Sequence, residues 1–149
     1  MIKGNPLKVS VYLLLICYLV GEFIFPKYPI IYFLNLIGII GLITSIVIFF
    51  LGFNIFKSYE EDPRPKSISN RLIKTGIFAY TRNPIYLSFI LFHFSMFLIF
   101  ENVMYFLTSI GLLFWIHNYV IKKEEQYLLD KFSDEFKRYK EAVSRWVFF

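Results

Sequence analysis

Three long stretches of this chain carry no Asp, Glu, Lys or Arg at all: residues 28–56, 83–100 and 102–121. A fourth apolar run, 7–25, has Lys8 and Glu22 only near its ends. Crossing a bilayer takes roughly 20 mostly apolar residues. Inside lipid every backbone polar group must be paired internally, which leaves helices as the solution for runs of this length. The expected fold is therefore an all-α integral membrane domain covering 1–149, with about four transmembrane helices near 7–25, 29–55, 84–100 and 102–121. A cleaved leader is not expected, because "VYLLLICYLVGEFIF" is followed by no small-residue cleavage site.

The basic residues set the expected orientation. The links "PKYP" and "EN" after the first and third runs together hold one of the 16 Lys and Arg, Lys27. The others lie in the N-terminus, in a central loop (57–82) or in a C-terminal segment (122–149). Positive charge concentrates on the cytoplasmic side, so both termini and the central loop are expected there. Topology and attraction to anionic membrane lipid account for the net charge of +5. Nucleic acid is not an expected partner. Cys17 is the single cysteine, so no disulfide within the chain and no cysteine metal site can form. His93 and His117 are too few and too far apart to suggest a metal. No phosphate-binding glycine loop, zinc motif or nucleophile elbow is present.

The second run is longer than one upright crossing needs, and it reads either as one tilted helix or as two. Gly38, Gly41 and Gly52 suit close helix packing there. In the central loop, Pro63, Pro65, Ser67, Ser69 and Asn70 argue against a continuous helix at its start. Its second half, "RLIKTGIFAY", is amphipathic and suits the membrane interface. After Ile121 the chain turns strongly charged, yet helical periodicity continues. Ile121, Leu128, Leu129, Phe132, Phe136, Tyr139 and Val143 fall within an arc of roughly 80° on a helical projection. An amphipathic helix packed on the membrane domain follows.

Glu125 breaks that pattern. It lies near the middle of the apolar arc, with Glu124 at its edge and His117 two turns earlier on a similar face. A carboxylate on a buried stripe is costly unless paired. Two readings stay open: a functional acid, or a structural salt bridge to Arg82 or Arg71.

The stretch "TRNPIY" (81–86) opens the third run. Asn83 suits an N-cap and Pro84 the first helical position. Taken singly, Arg82 reads as a positive-inside charge and Tyr86 as an interfacial aromatic. Together they place a helix N-terminus and an arginine, both complements of a carboxylate, on the side where the fourth run delivers Glu124 and Glu125. A zwitterionic amino-acid moiety would find both complements.

"LIKTGIFAYTRNPIYL" followed by "IKKEEQYLLDKFSDEFKRYKEAVSRW" resembles the isoprenylcysteine carboxyl methyltransferase family and its phospholipid methyltransferase relatives. The resemblance rests on Gly76, Phe78, Tyr80, Arg82, Asn83, Pro84 and Tyr86, then on Glu124, Glu125, Leu128, Phe132, Phe136, Tyr139 and Arg145. The pair Leu51–Gly52 extends it over about two-thirds of the chain. Asn83 replaces the histidine of the prenylcysteine enzymes, Ser133 replaces the glycine of a Phe-Gly pair, and Phe136 replaces a tyrosine.

The resemblance implies a membrane methyltransferase that uses S-adenosyl-L-methionine without a Rossmann fold, with a lipophilic acceptor, an isoprenylcysteine-type carboxylate or another lipid-like molecule, entering from the bilayer. It implies Gly76, Tyr80, Arg82, Asn83, Pro84, Tyr86, Glu124 and Glu125 at the cofactor, and Arg82 and Glu125 as the central pair. Arg145 and His117 are the candidates for the acceptor. A carboxylate acceptor needs no general base, whereas an ammonium must first lose a proton. His117 is the spare candidate for that work, but a histidine packed between helices is the stronger reading of it, so the expectation leans to a base-independent acceptor. Two rivals stand beside this reading. One is an NADPH-dependent reductase resembling the C-terminal region of steroid 5α-reductase. The other is a non-catalytic four-span transporter or assembly factor.

Overall fold

The computed structural model describes residues 5–25, 27–29, 31–64, 67 and 69–147; Pro65 lies outside the described residues. Four long helical stretches form, and the described residues contain no strand. The first, α1 (Pro6–Ile24), starts where the Asn5 side chain accepts from the Leu7 amide at 3.0 Å, with Pro6 at the first helical position. It passes through a π-helical turn at Cys17–Gly21 without interruption. The second, α2 (Tyr32–Ser58), is a single helix of 27 residues. At 1.5 Å per residue it is about 40 Å long, more than the roughly 30 Å hydrocarbon layer. Its C-terminal end, which carries Phe56, therefore extends past an apolar layer of that thickness and meets the central loop.

The third helix, α3 (Pro84–Phe100), and the fourth, α4 (Val103–Trp115), form a tight hairpin. Glu101 ends α3 in the left-handed conformation at φ 58, and the Asn102 side chain accepts from the Met104 amide to start α4. Beyond α4 the chain stays helical through a π-helical turn, Ile116–Ile121, into α5 (Lys122–Ala142). The last membrane helix thus continues straight into the charged segment, as the unbroken periodicity required. All seven residues of the apolar arc are buried or half-buried, while Lys122, Lys123, Asp130, Asp134, Lys137, Lys140 and Glu141 are exposed.

Helix α2 packs closely on α3 through small residues. A Cβ on Gly38 would stand 2.8 Å from the Leu98 Cβ, and one on Gly41 would stand 2.5 Å from the Ser95 Oγ. Such contacts let backbones approach where lipid offers no hydrophobic drive between helices. A polar strip ties α1, α3 and α4 together inside the bundle. His93 meets the Ser10 hydroxyl at 3.1 Å and the Thr108 hydroxyl at 3.0 Å, so this buried histidine has structural partners. Outward faces of α1 and α2 expose Tyr12, Leu19, Phe23, Ile40 and Phe50, an arrangement that suits lipid and not water.

The described part of the central loop is largely irregular. Among the described residues no helix forms between Tyr59 and Thr75, and "RLIKTGIFAY" yields only one 3-10 turn, Gly76–Ala79. Its amphipathic pattern is spent on two anchors, Ile73 and Phe78, both buried. Phe78 packs edge-on against Phe56 at 5.5 Å between ring centroids, which pins the loop to the C-terminal end of α2.

Candidate functional site

The end of the bundle that carries the central loop is organised by Arg82, two residues before the start of α3. Its side chain is 8% exposed. One terminal nitrogen, Nη1, donates to the carbonyls of Lys140 at 2.8 Å and Val143 at 2.7 Å. These carbonyls end α5, where a cation is favoured. The other, Nη2, donates to Glu125 Oε1 at 2.9 Å. Its backbone amide donates to the Ser144 carbonyl at 3.0 Å. Residues 143–146 are thereby strapped across the start of α3. Thr81 and Asn83 add side-chain bonds to the Arg145 carbonyl at 3.2 and 3.0 Å.

Glu125 receives two arginines. Arg145 grips it with Nε to Oε1, the oxygen that Arg82 also holds, at 2.9 Å and Nη2 to Oε2 at 2.5 Å. Burial pushes this carboxyl up, but the Arg145 and Arg82 contacts outweigh it and hold Glu125 below the usual glutamate range. The charge that broke the apolar stripe is thus paired twice over.

Its neighbour has the opposite environment. Glu124 is half-buried, and its Oε1 accepts from the Tyr86 hydroxyl at 2.7 Å. Burial of the carboxyl, the dominant influence, pushes it up to about 7. Two adjacent carboxylates on one helix turn are therefore driven apart, one fixed as an anion and one titrating near neutrality.

Arg82, Asn83, Pro84, Tyr86, Glu124 and Glu125 line one cavity, together with Phe56, Phe78, Phe136 and the loop residues Glu61 to Arg64, Ser67, Ser69 and Arg71 to Ile73. Four other sequence candidates stand outside that lining. Tyr80 is 77% exposed. Gly76, at φ +59, makes the turn that packs on Ile55. Arg145 lies behind Glu125. His117 is set further back, with Arg145 Nη1 3.1 Å from its Nε2 and Trp146 Nε1 donating to its Nδ1 at 3.3 Å. Asn83 holds the N-cap position, yet its side chain makes no cap bond to α3; the Arg145 carbonyl has taken it.

The loop residues Glu61, Asp62 and Arg64, unremarked in the sequence, border the same cavity, as does Arg71, whose expected place at Glu125 is taken by Arg145 beside Arg82. A proline-rich loop has no periodicity from which a face can be read. Tyr139, whose hydroxyl donates to the Phe78 carbonyl at 2.7 Å, was visible as a member of the apolar arc and of the resembling motif, with no partner indicated. Trp146, buried in the core cluster with Tyr86, Phe89 and Ile116, carried no sequence signal beyond its aromatic character.

No solved structure matches the chain. An uncharacterized protein of Haemophilus influenzae is 39% identical over 62 residues, which cover 42% of this chain and 98% of that protein. The phospholipid methyltransferase family matches residues 32–135, from the start of α2 through most of α5 and so across Arg82, Tyr86 and both glutamates. The chain therefore belongs to the phospholipid methyltransferase family, a family of membrane methyltransferases.

Proposed function

We propose that this protein transfers a methyl group from S-adenosyl-L-methionine to a lipophilic acceptor at the cytoplasmic face of a membrane, with both termini on that side. The observation that carries the cofactor reading is on Arg82. Its Nε is buried and has no hydrogen-bond partner among the described residues, while Nη1 and Nη2 are engaged. An orphaned donor on an arginine costs stability and invites an anion. The methionine carboxylate of the cofactor supplies one. The acidic pair Glu124–Glu125 supplies the complement to its ammonium, and Glu125 also fixes Arg82 in place. Tyr86, with Phe78 and Phe136 beyond it, offers rings for the adenosine and the sulfonium. When bound, the cofactor supplies an electrophilic methyl carbon, so the protein's work is positioning and exclusion of water. The apolar wall of Phe56, Ile73, Phe78 and Leu128 suits an acceptor that arrives from lipid.

Calorimetry with S-adenosylmethionine and S-adenosylhomocysteine on detergent-purified protein tests this. Arg82→Lys and Glu125→Gln are expected to weaken both ligands by tenfold or more, about 1.4 kcal/mol. A folded wild type that binds neither overturns the reading.

A further inference from the structure

We infer that His117 is a positioning residue of the cofactor site: as a neutral imidazole it locks the strap of residues 143–146, whose carbonyls set Arg82, and as an imidazolium it releases that strap. The link to the cofactor rests on the methyltransferase reading; the lock itself does not.

The backbone of the strap is held by the start of α3. Arg82 donates its amide to the Ser144 carbonyl and Nη1 to the Val143 carbonyl, and Asn83 donates to the Arg145 carbonyl. Two side chains of the strap meet His117 instead. Trp146 is 3% exposed, and its ring stacks on His117 at 6.4 Å between centroids and 23° between planes. Its Nε1 donates to His117 Nδ1 at 3.3 Å, and Arg145 Nη1 stands 3.1 Å from His117 Nε2. His117 lies in the π-helical turn Ile116–Ile121, a rare element inside α-helices, and outside the cavity lining. It therefore acts on the cavity only through the strap.

Both of its partners are donors. A neutral imidazole offers one acceptor nitrogen and a protonated one offers none. The neutral ring thus satisfies one of the two donors at a time. Protonation leaves the buried Trp146 N–H without an acceptor, which costs stability. It also sets a second positive charge against Arg145, a permanent cation. Packing alone gives no reason for two donors to converge on the two nitrogens of one ring.

The charges that bear on His117 are Arg145 from the strap and Lys122 and Glu125 from α5. Arg145 and Lys122 oppose an imidazolium, and Glu125 is already engaged by two arginines. The residues that α1 and α3 bring to the same core cluster as Trp146, among them Val9, Leu13, Tyr86 and Phe89, carry no formal charge at neutral pH. The closed strap therefore binds fewer protons than the open one, and closure weakens as pH falls. An imidazole that ionises near 6.5 once released weakens closure by up to about 30-fold at pH 5. Opening withdraws the Val143 and Ser144 carbonyls and the Arg145 side chain. Arg82 then loses the frame that holds its unpaired Nε at the cavity.

Two measurements test this. The chain has two tryptophans, Trp115 and Trp146, so Trp115→Phe leaves Trp146 as the sole emitter. In that ligand-free protein, over the pH range in which circular dichroism keeps its full helical signal, the emission maximum is expected to move to longer wavelength as pH falls from 8 to 5. With His117→Asn added, the maximum is expected to stay constant across that range. No shift, or the same shift without His117, overturns the lock. The second measurement is calorimetry with S-adenosylhomocysteine at pH 8 and pH 5 on the wild type and on His117→Asn. Glu124 titrates in the same window in both proteins, so the difference between them reads His117. Wild-type affinity is expected to fall by threefold or more beyond any fall in the variant. Equal falls overturn the positioning role. Failure of the folded wild type to bind at either pH removes the cofactor reading instead, and the emission titration still judges the lock.

Discussion

Tyr86 on α3 and Glu124 on α5, 38 positions apart in the chain, share a hydrogen bond of 2.7 Å on the cavity wall. That bond marks where burial of an ionisable group is only partly compensated. The folded carboxyl keeps its proton up to about pH 7, whereas an unfolded glutamate ionises near 4.3. Between those values the folded state binds more protons than the unfolded state, so stability falls as pH rises. The penalty is absent below the lower value and complete above the upper one. Glu124→Gln is therefore expected to be more stable than wild type by about 3–4 kcal/mol at pH 8, and equal to it at pH 4. Thermal unfolding in detergent at the two pH values checks this. A gap of the same size at both would place its cause elsewhere than in ionisation.

Arg82 and Arg145 both bind Glu125, but they are not equivalent. Arg82 also caps the Lys140 and Val143 carbonyls at the end of α5, whereas Arg145 adds only the contact to His117. Arg82→Ala is expected to cost more stability than Arg145→Ala, by about 1–3 kcal/mol for the orphaned carbonyls. Comparing their unfolding midpoints decides the order. Equal losses would mean that the carbonyl bonds contribute nothing net.

Ser133 sits inside α5 at φ 42 and ψ −111, outside helical geometry. Only glycine adopts such a conformation without strain, and a glycine is what the resembling family carries at this position. Ser133→Gly is expected to raise stability by about 1 kcal/mol. An unchanged or lowered melting temperature would show that helix α5 is continuous there and that the break is not needed.

Two helical glycines give a contrast. A Cβ on Gly38 meets the Leu98 Cβ at 2.8 Å and the Ser95 carbonyl oxygen at 3.2 Å, while one on Gly111 meets nothing within 4 Å. Gly38→Val is expected to destabilise by about 1–3 kcal/mol through overpacking. Gly111→Ala is expected to gain about 0.5–1 kcal/mol from helix propensity. Unfolding of both variants in the same detergent reads the two signs together. A neutral Gly38→Val would refute the close packing of α2 on α3.

The long apolar helices, the tight link between α3 and α4 and the amphipathic helix α5 were legible in the sequence. They follow from length, charge and period, which are local properties. Glu125 was legible as an anomaly for the same reason, since a single charge on an apolar arc is a matter of spacing alone. What the anomaly means was not legible. Arg82 and Arg145 were both in view, but only the strap of residues 143–146 across the start of α3 brings them to one carboxylate. Asn83 carries the signature of a helix cap, yet tertiary contact diverts its amide to the Arg145 carbonyl. Tyr80 and Tyr86 look alike in the motif, and the turn at Gly76–Ala79 sends one outward while α3 carries the other in. The difference between Glu124 and Glu125 is likewise tertiary. Adjacent in the chain, they differ only in which groups from distant segments surround each, and the energy of a buried charge depends on those neighbours and not on its own residue type.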